Sequence, residues 1–172
     1  MQDKSIYRNV TILNYKFMVF EFDFSGGNES FDSRKKGYVC PCCNQYVKLY
    51  RRHFNSNMAV ALLFLYRNRH RSFIHLENEM KACGYKRCGD ASYLRHYKFI
   101  EVKKEKREDG SNRNGMYKIS GLGILFCEMK SKAREYFLTF NNSCEGFDGE
   151  EIDILKALGR KFNYSELISP VN

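Results

Sequence analysis

Three cysteines fall within four residues of the stretch GYVCPCCNQYVKLYRRHFNSNMAVALLFLYRNR, Gly37 to Arg69. Cys40 and Cys43 have the CxxC spacing at which two thiolates share one soft metal ion, and Pro41 suits the tight turn this requires. Cys42 is an extra thiol that the pattern does not use. A structural zinc takes four ligands, and no second CxxC is present. His53, another distant ligand or ligands across a dimer would have to complete the set; Cys83 and Cys88 flank a later turn. Two other readings stay open. The thiols can be reduced and simply packed, or they can do redox chemistry, although a thioredoxin-like role needs a βαβ context that the pattern lacks. One structural zinc is the only cofactor suggested.

The second chemistry is cationic. The chain has 172 residues and a net charge of +9. Between Cys40 and Ser120, 17 Lys and Arg stand against 7 Asp and Glu, so the excess is concentrated there and the remainder is near neutral. A localised excess points to a polyanion-binding face; the plainer alternative is a solvated charged surface. Candidate nucleic-acid contacts are Lys86, Arg87, Ser92, Tyr93, Arg95 and His96 around one short helix. Lys104, Lys106, Arg107, Asn112 and Arg113 lie on a basic loop, and Arg51 and Arg52 precede the apolar helix. Arg can pair with guanine, and Ser or Tyr can hydrogen-bond phosphate or base edges.

Catalytic patterns are weak. Gly121–Gly123 reads GLG without a third glycine or a βαβ setting, no P-loop or HExxH occurs, and the four histidines are scattered. No enzyme is expected, and a metal-dependent nuclease is the remote alternative. No apolar run reaches the roughly 20 residues of a membrane span. The N-terminal MQDKSIYRNV has no apolar signal core. A cytoplasmic protein with free or metal-bound thiols is the expectation.

These residues need elements to position them. Residues 9–24 alternate and are rich in β-branched and aromatic types, as in a strand or hairpin. Residues 25–37 read as a polar loop. A helix is expected from Ser56 to Arg69, capped by Asn55 or Ser56, and apolar nearly all round, as in a central core helix. Phe73 and Ile74 suit a very short strand. Leu76, Met80 and Cys83 mark one face of a short helix stopped by Gly84. Asp90 opens another over 91–98, with Ala91, Leu94 and Tyr97 inward and Ser92, Tyr93, Arg95 and His96 outward. Residues 99–104 and 116–120 form a hairpin around a basic loop with Asp109-Gly110 and Asn114-Gly115 turns. A helix follows with Leu122, Leu125, Phe126 and Met129 inward. Then come a strand over 134–142, an acidic loop over 144–151, and a last helix carrying Ile152, Leu155 and Phe162.

From Ser56 to Met129 this is the order of a winged helix-turn-helix: a helix pair locked by a core helix, then a hairpin whose basic tip reaches DNA backbone. Residues 40–129 resemble MarR-type winged-helix proteins. The chain is also similar to a group of small phage-encoded proteins in which a CPxC knuckle precedes VKLYRR and NSNMAxxL, a winged helix and an ALGRKFNYSEL tail. The stretches that carry this are Cys40–Arg52, Asn55–Leu62, Gly89–Glu101, Gly115–Gly123 and Ala157–Leu167; residues 1–37 fall outside. The resemblance implies a phage or mobile-element origin, hence a bacterial host cytoplasm, nucleic-acid binding and a homodimer.

The expected class is α+β, mainly α. It comprises a β-rich extension (1–37), a knuckle and basic linker (38–54), a winged-helix domain (55–130) and a strand-helix tail (131–172). The expected partner is double-stranded DNA, bound by a regulator or accessory factor. The rival is a protein-interaction module directed at a host factor.

Overall fold

The computed structural model describes residues 31–86, 89–105, 114–140 and 143–169. The expected strand over 9–24, the tip of the basic loop, Arg87 and Cys88 lie outside the described residues. Within them the chain is α+β, with three small antiparallel sheets.

The segment expected to be a polar loop ends in a short helix, α1 (Phe31–Lys36). Arg34, Lys35 and Lys36 fill its last turn, where cations favour the helix dipole, and Gly37 leaves it with φ +83°. Strands β1 (Tyr38–Val39) and β2 (Tyr46–Val47) pair as a small hairpin holding the cysteines at its turn. Strand β3 (Tyr50–His53) runs into α2 (Ser56–Arg67).

Helix α2 organises everything else. Asn55 caps it by accepting from the Met58 amide at 3.0 Å. All nine residues from Met58 to Tyr66 are buried. A helix apolar on every side needs cover on every side. That cover comes from α3 (Leu76–Ala82), a 3-10 segment (Gly89–Arg95), β6 (Met116–Ile119), α4 (Gly121–Cys127), α5 (Ile154–Leu158) and α6 (Tyr164–Ile168). Strand β4 (Ile74–His75) precedes α3, and β5 (Ile100–Val102) follows the 3-10 segment. Strand β6 lies between β4 and β5, antiparallel to both. A separate sheet has the order β3-β7-β8, with β7 (Ala133–Phe140) and β8 (Ser143–Ile152). The stretch before α2 and the C-terminal stretch therefore share a sheet.

Further sequence expectations are corrected. The helix over 91–98 is a 3-10 segment ending at Arg95. Cys83 is exposed and lies outside the buried face of α3, which is Leu76 and Met80. On α4 the inward face is Gly123, Phe126 and Cys127, while Leu122, Leu125 and Met129 are 48%, 40% and 50% exposed. The reason is Gly123: a Cβ there would stand 2.3 Å from the Phe99 carbonyl oxygen, so a bare glycine lets α4 lie directly on that backbone. Finally, the acidic "loop" over 144–151 is strand β8. Its glycines misled the pattern. They sit where the β7–β8 register shifts, and Gly149 (φ +81°) takes the left-handed backbone that such an irregularity uses.

The last helix is broken at Gly159 (φ +66°) into α5, a short 3-10 turn (Gly159–Lys161) and α6. Ile152 belongs to β8 and Leu155 is exposed; Ile154, Ala157 and Leu158 face inward instead. Tyr164 ties α6 down by donating from its hydroxyl to the Cys127 carbonyl at 2.6 Å. Tyr164→Phe keeps the ring and orphans that carbonyl. It is expected to cost about 1 kcal/mol, read as a lower urea midpoint at unchanged slope. Among the described residues no helix is long and apolar enough to cross a membrane.

Candidate functional site

The 3-10 segment is anchored by the same side chain that caps α2. Asn55 donates from Nδ2 to the Asp90 carboxylate at 2.8 Å while its Oδ1 holds the helix start. Ala91, Leu94 and Tyr97 are buried, as the spacing predicts. The outward set divides. Arg95 is exposed, whereas Ser92, Tyr93 and His96 are half-buried. The rings of Tyr93 and His96 lie 5.4 and 5.3 Å from that of Phe137 on β7. The sheet β3-β7-β8, which periodicity within the segment cannot reveal, covers that side. This corrects the expectation that all four project to solvent.

Burial, and next to it the Arg95 charge, lowers the His96 pKa. The unfolded chain therefore binds the proton more readily. The stabilising contribution is full above the ordinary histidine value of about 6.5 and is lost as pH falls through the lowered value. His96→Phe keeps the ring stack. It is expected to flatten the acid side of the stability profile between about pH 7 and 5, read from urea midpoints.

The β5–β6 hairpin is clamped at its base by Asn114. Its Nδ2 donates to the Lys103 and Glu105 carbonyls, both at 2.8 Å, and its Oδ1 accepts from the Met116 amide at 3.0 Å. Lys104 is exposed just before the basic loop, and Lys86 is exposed ahead of the 3-10 segment. Lys106, Arg107, Asn112 and Arg113 lie outside the described residues, as does Arg87. Sequence reasoning missed Lys98, which is exposed at φ +58° between the 3-10 segment and β5. Its signal was a lone cation at the junction of two elements, three residues after Arg95.

Ion pairing sorts these cations. Arg71, Lys81, Lys130 and Lys156 are each held by a glutamate. Among the described residues Lys86, Arg95, Lys98 and Lys104 have no ion-pair partner. Alternation along β3 separates the other two candidates. Arg51 stacks on Tyr136 at 3.4 Å and pairs with Asp148 at 2.8 Å, so it is occupied. Arg52 turns to the opposite face, 5.4 Å from the Tyr50 ring and 5.7 Å from that of Tyr93, and extends the basic surface beside the 3-10 segment.

The cysteine turn is tightly built. The Cys40 amide donates to the Gln45 carbonyl at 2.8 Å, and the Asn44 amide donates to the Cys40 carbonyl at 2.9 Å. Asn44 takes the left-handed conformation at φ +55°. The backbone amides of Cys43 and Cys42 both donate to the Cys40 sulfur, which lowers the pKa of its thiol. His53 does not complete this set. It lies in β3, a different sheet, with Nε2 3.3 Å from Glu135. Among the described residues no three or more His, Cys, Asp or Glu converge to hold a metal ion, and His53 does not join Cys40 and Cys43.

The chain matches no family model, no curated protein and no solved structure. The geometry is therefore the ground for a functional reading.

Proposed function

We propose that this chain is a winged-helix protein, of the MarR-like kind its sequence resembles, that binds double-stranded DNA mainly through the phosphate backbone. Its role is that of a regulator or accessory factor. One observation carries the reading. The elements run α2, β4, α3, 3-10 segment, β5, β6, with β6 between β4 and β5, and Arg95, Lys98 and Lys104, exposed and without an ion-pair partner among the described residues, lie along the stretch from the 3-10 segment to the hairpin. That order supports a helix pair backed by a core helix, with the hairpin as wing. Arg95, Lys98 and Lys104 would each neutralise a phosphate, and Arg52 and Lys86 would widen the footprint. Arg95 is the best-placed residue to reach a base edge. Tyr93 and His96 are held by Phe137 and would position the segment instead of reading bases.

The test is a salt titration of the intact protein on a duplex. With the Arg95, Lys98 and Lys104 contacts made, log affinity is expected to fall with log salt at a slope of about −2.7 or steeper. A flat dependence would reject the reading.

A second reading has its own observation. Leu122 and Leu125 on α4 and Met129 just after it are exposed, and Leu122 lines a groove of about 240 Å³ together with Tyr97, Phe99 and Phe147. Exposed apolar surface of this kind suits a protein partner. A protein-interaction module would show little duplex affinity at physiological salt.

A further inference from the structure

We propose that Cys40 and Cys43 form half of a zinc site, and that two copies of this chain share one zinc through four thiolates at the tips of their β1–β2 hairpins. The ligand pair is built into the turn. Cys40 follows β1 directly, and the turn that carries Cys43 is closed by the Cys40–Gln45 and Asn44–Cys40 hydrogen bonds.

Among the described residues nothing completes the set. No Cys or His precedes Cys40. His53 faces Glu135, Cys127 is buried on the inward face of α4, His96 is stacked on Phe137, and Cys83 does not join the pair. Zinc with two thiolates lacks half of its tetrahedron. A second copy supplies the same pair by symmetry.

The tip also suits self-association. Tyr38 to Val47 contains no charged residue in a chain of net charge +9, so the turn itself brings no charge to the contact between two copies. Val39 and Tyr46 are 59% and 58% exposed and flank the thiols with apolar surface. Cys42 is exposed but is not needed as a ligand. As zinc binds, each of the four thiols gives up its proton to solvent and no redox change occurs.

The test uses the full chain purified under reductant from zinc-supplemented medium, with zinc measured by atomic emission and mass by light scattering. The expected result is a dimer with one zinc per two chains, converted to monomer by a zinc chelator. Cys40→Ser/Cys43→Ser is expected to lose both metal and dimer while keeping the melting temperature of the chelator-treated wild type. Cys42→Ser and Cys83→Ser/Cys88→Ser are expected to keep both. Should the first double variant fail to fold, chelation of the wild type still decides. One zinc per monomer, no zinc, zinc lost with Cys83 and Cys88, or a dimer indifferent to chelation would overturn the proposal.

Discussion

Phe54→Ala is expected to cost about 3–5 kcal/mol of folding stability. Phe54 is fully buried at the junction of β3 and α2. Its ring meets Tyr97 edge-on at 5.0 Å, Phe126 at 5.5 Å and Phe99 at 6.2 Å. One side chain therefore joins the end of the 3-10 segment, the start of β5 and the inner face of α4. Deleting it removes transfer energy and leaves a cavity whose walls are aromatic and slow to collapse. Phe54→Leu should recover much of the loss. The check is the urea midpoint at unchanged slope. A shift worth less than about 1 kcal/mol would mean that the aromatic cluster does not hold the candidate interface together.

Removing the unpaired cations should leave stability alone and damage binding heavily. In Arg95→Gln/Lys98→Gln/Lys104→Gln all three changes fall on exposed side chains without ion pairs among the described residues. If each contact releases about 0.9 counterion, the salt slope becomes shallower by about 2.7. Affinity near 0.1 M salt then falls by roughly two to three orders of magnitude. Specific and nonspecific duplexes should suffer alike, because phosphate contacts carry no sequence information directly. Arg51→Gln is the internal comparison: its guanidinium is committed to Asp148 and Tyr136, so it should change binding little. A triple variant with the wild-type slope would move the reading to the protein-interaction module.

What was legible from the sequence depended on how local the cause was. The cap at Asn55, the all-round apolar α2, the β5–β6 pairing and the inward Ala91, Leu94 and Tyr97 follow from spacing within a few residues. The errors have long-range causes. The face that α4 buries is set by a glycine meeting the backbone of Phe99, not by its own leucines. Strand β8 looks like a loop because glycines that serve register shifts resemble turn glycines. The candidate site divided for the same reason. Tyr93 and His96 are polar enough to be read as solvent-facing, but Phe137, some forty residues later, covers them. Lys98 escaped notice because it belongs to neither neighbouring element.

The burial of α2 on every side has a bearing on how the protein is made. Helix α2 ends at Arg67, yet α6, one of the elements that cover it, begins at Tyr164. At about 5–20 residues per second, a ribosome needs roughly 5–20 s to synthesise the intervening chain. During that interval a helix apolar all round has left the exit tunnel without its full cover. Holdase chaperones that grip exposed apolar segments would find their main target in Met58–Tyr66, and nascent chains stalled before α6 should aggregate where completed ones do not.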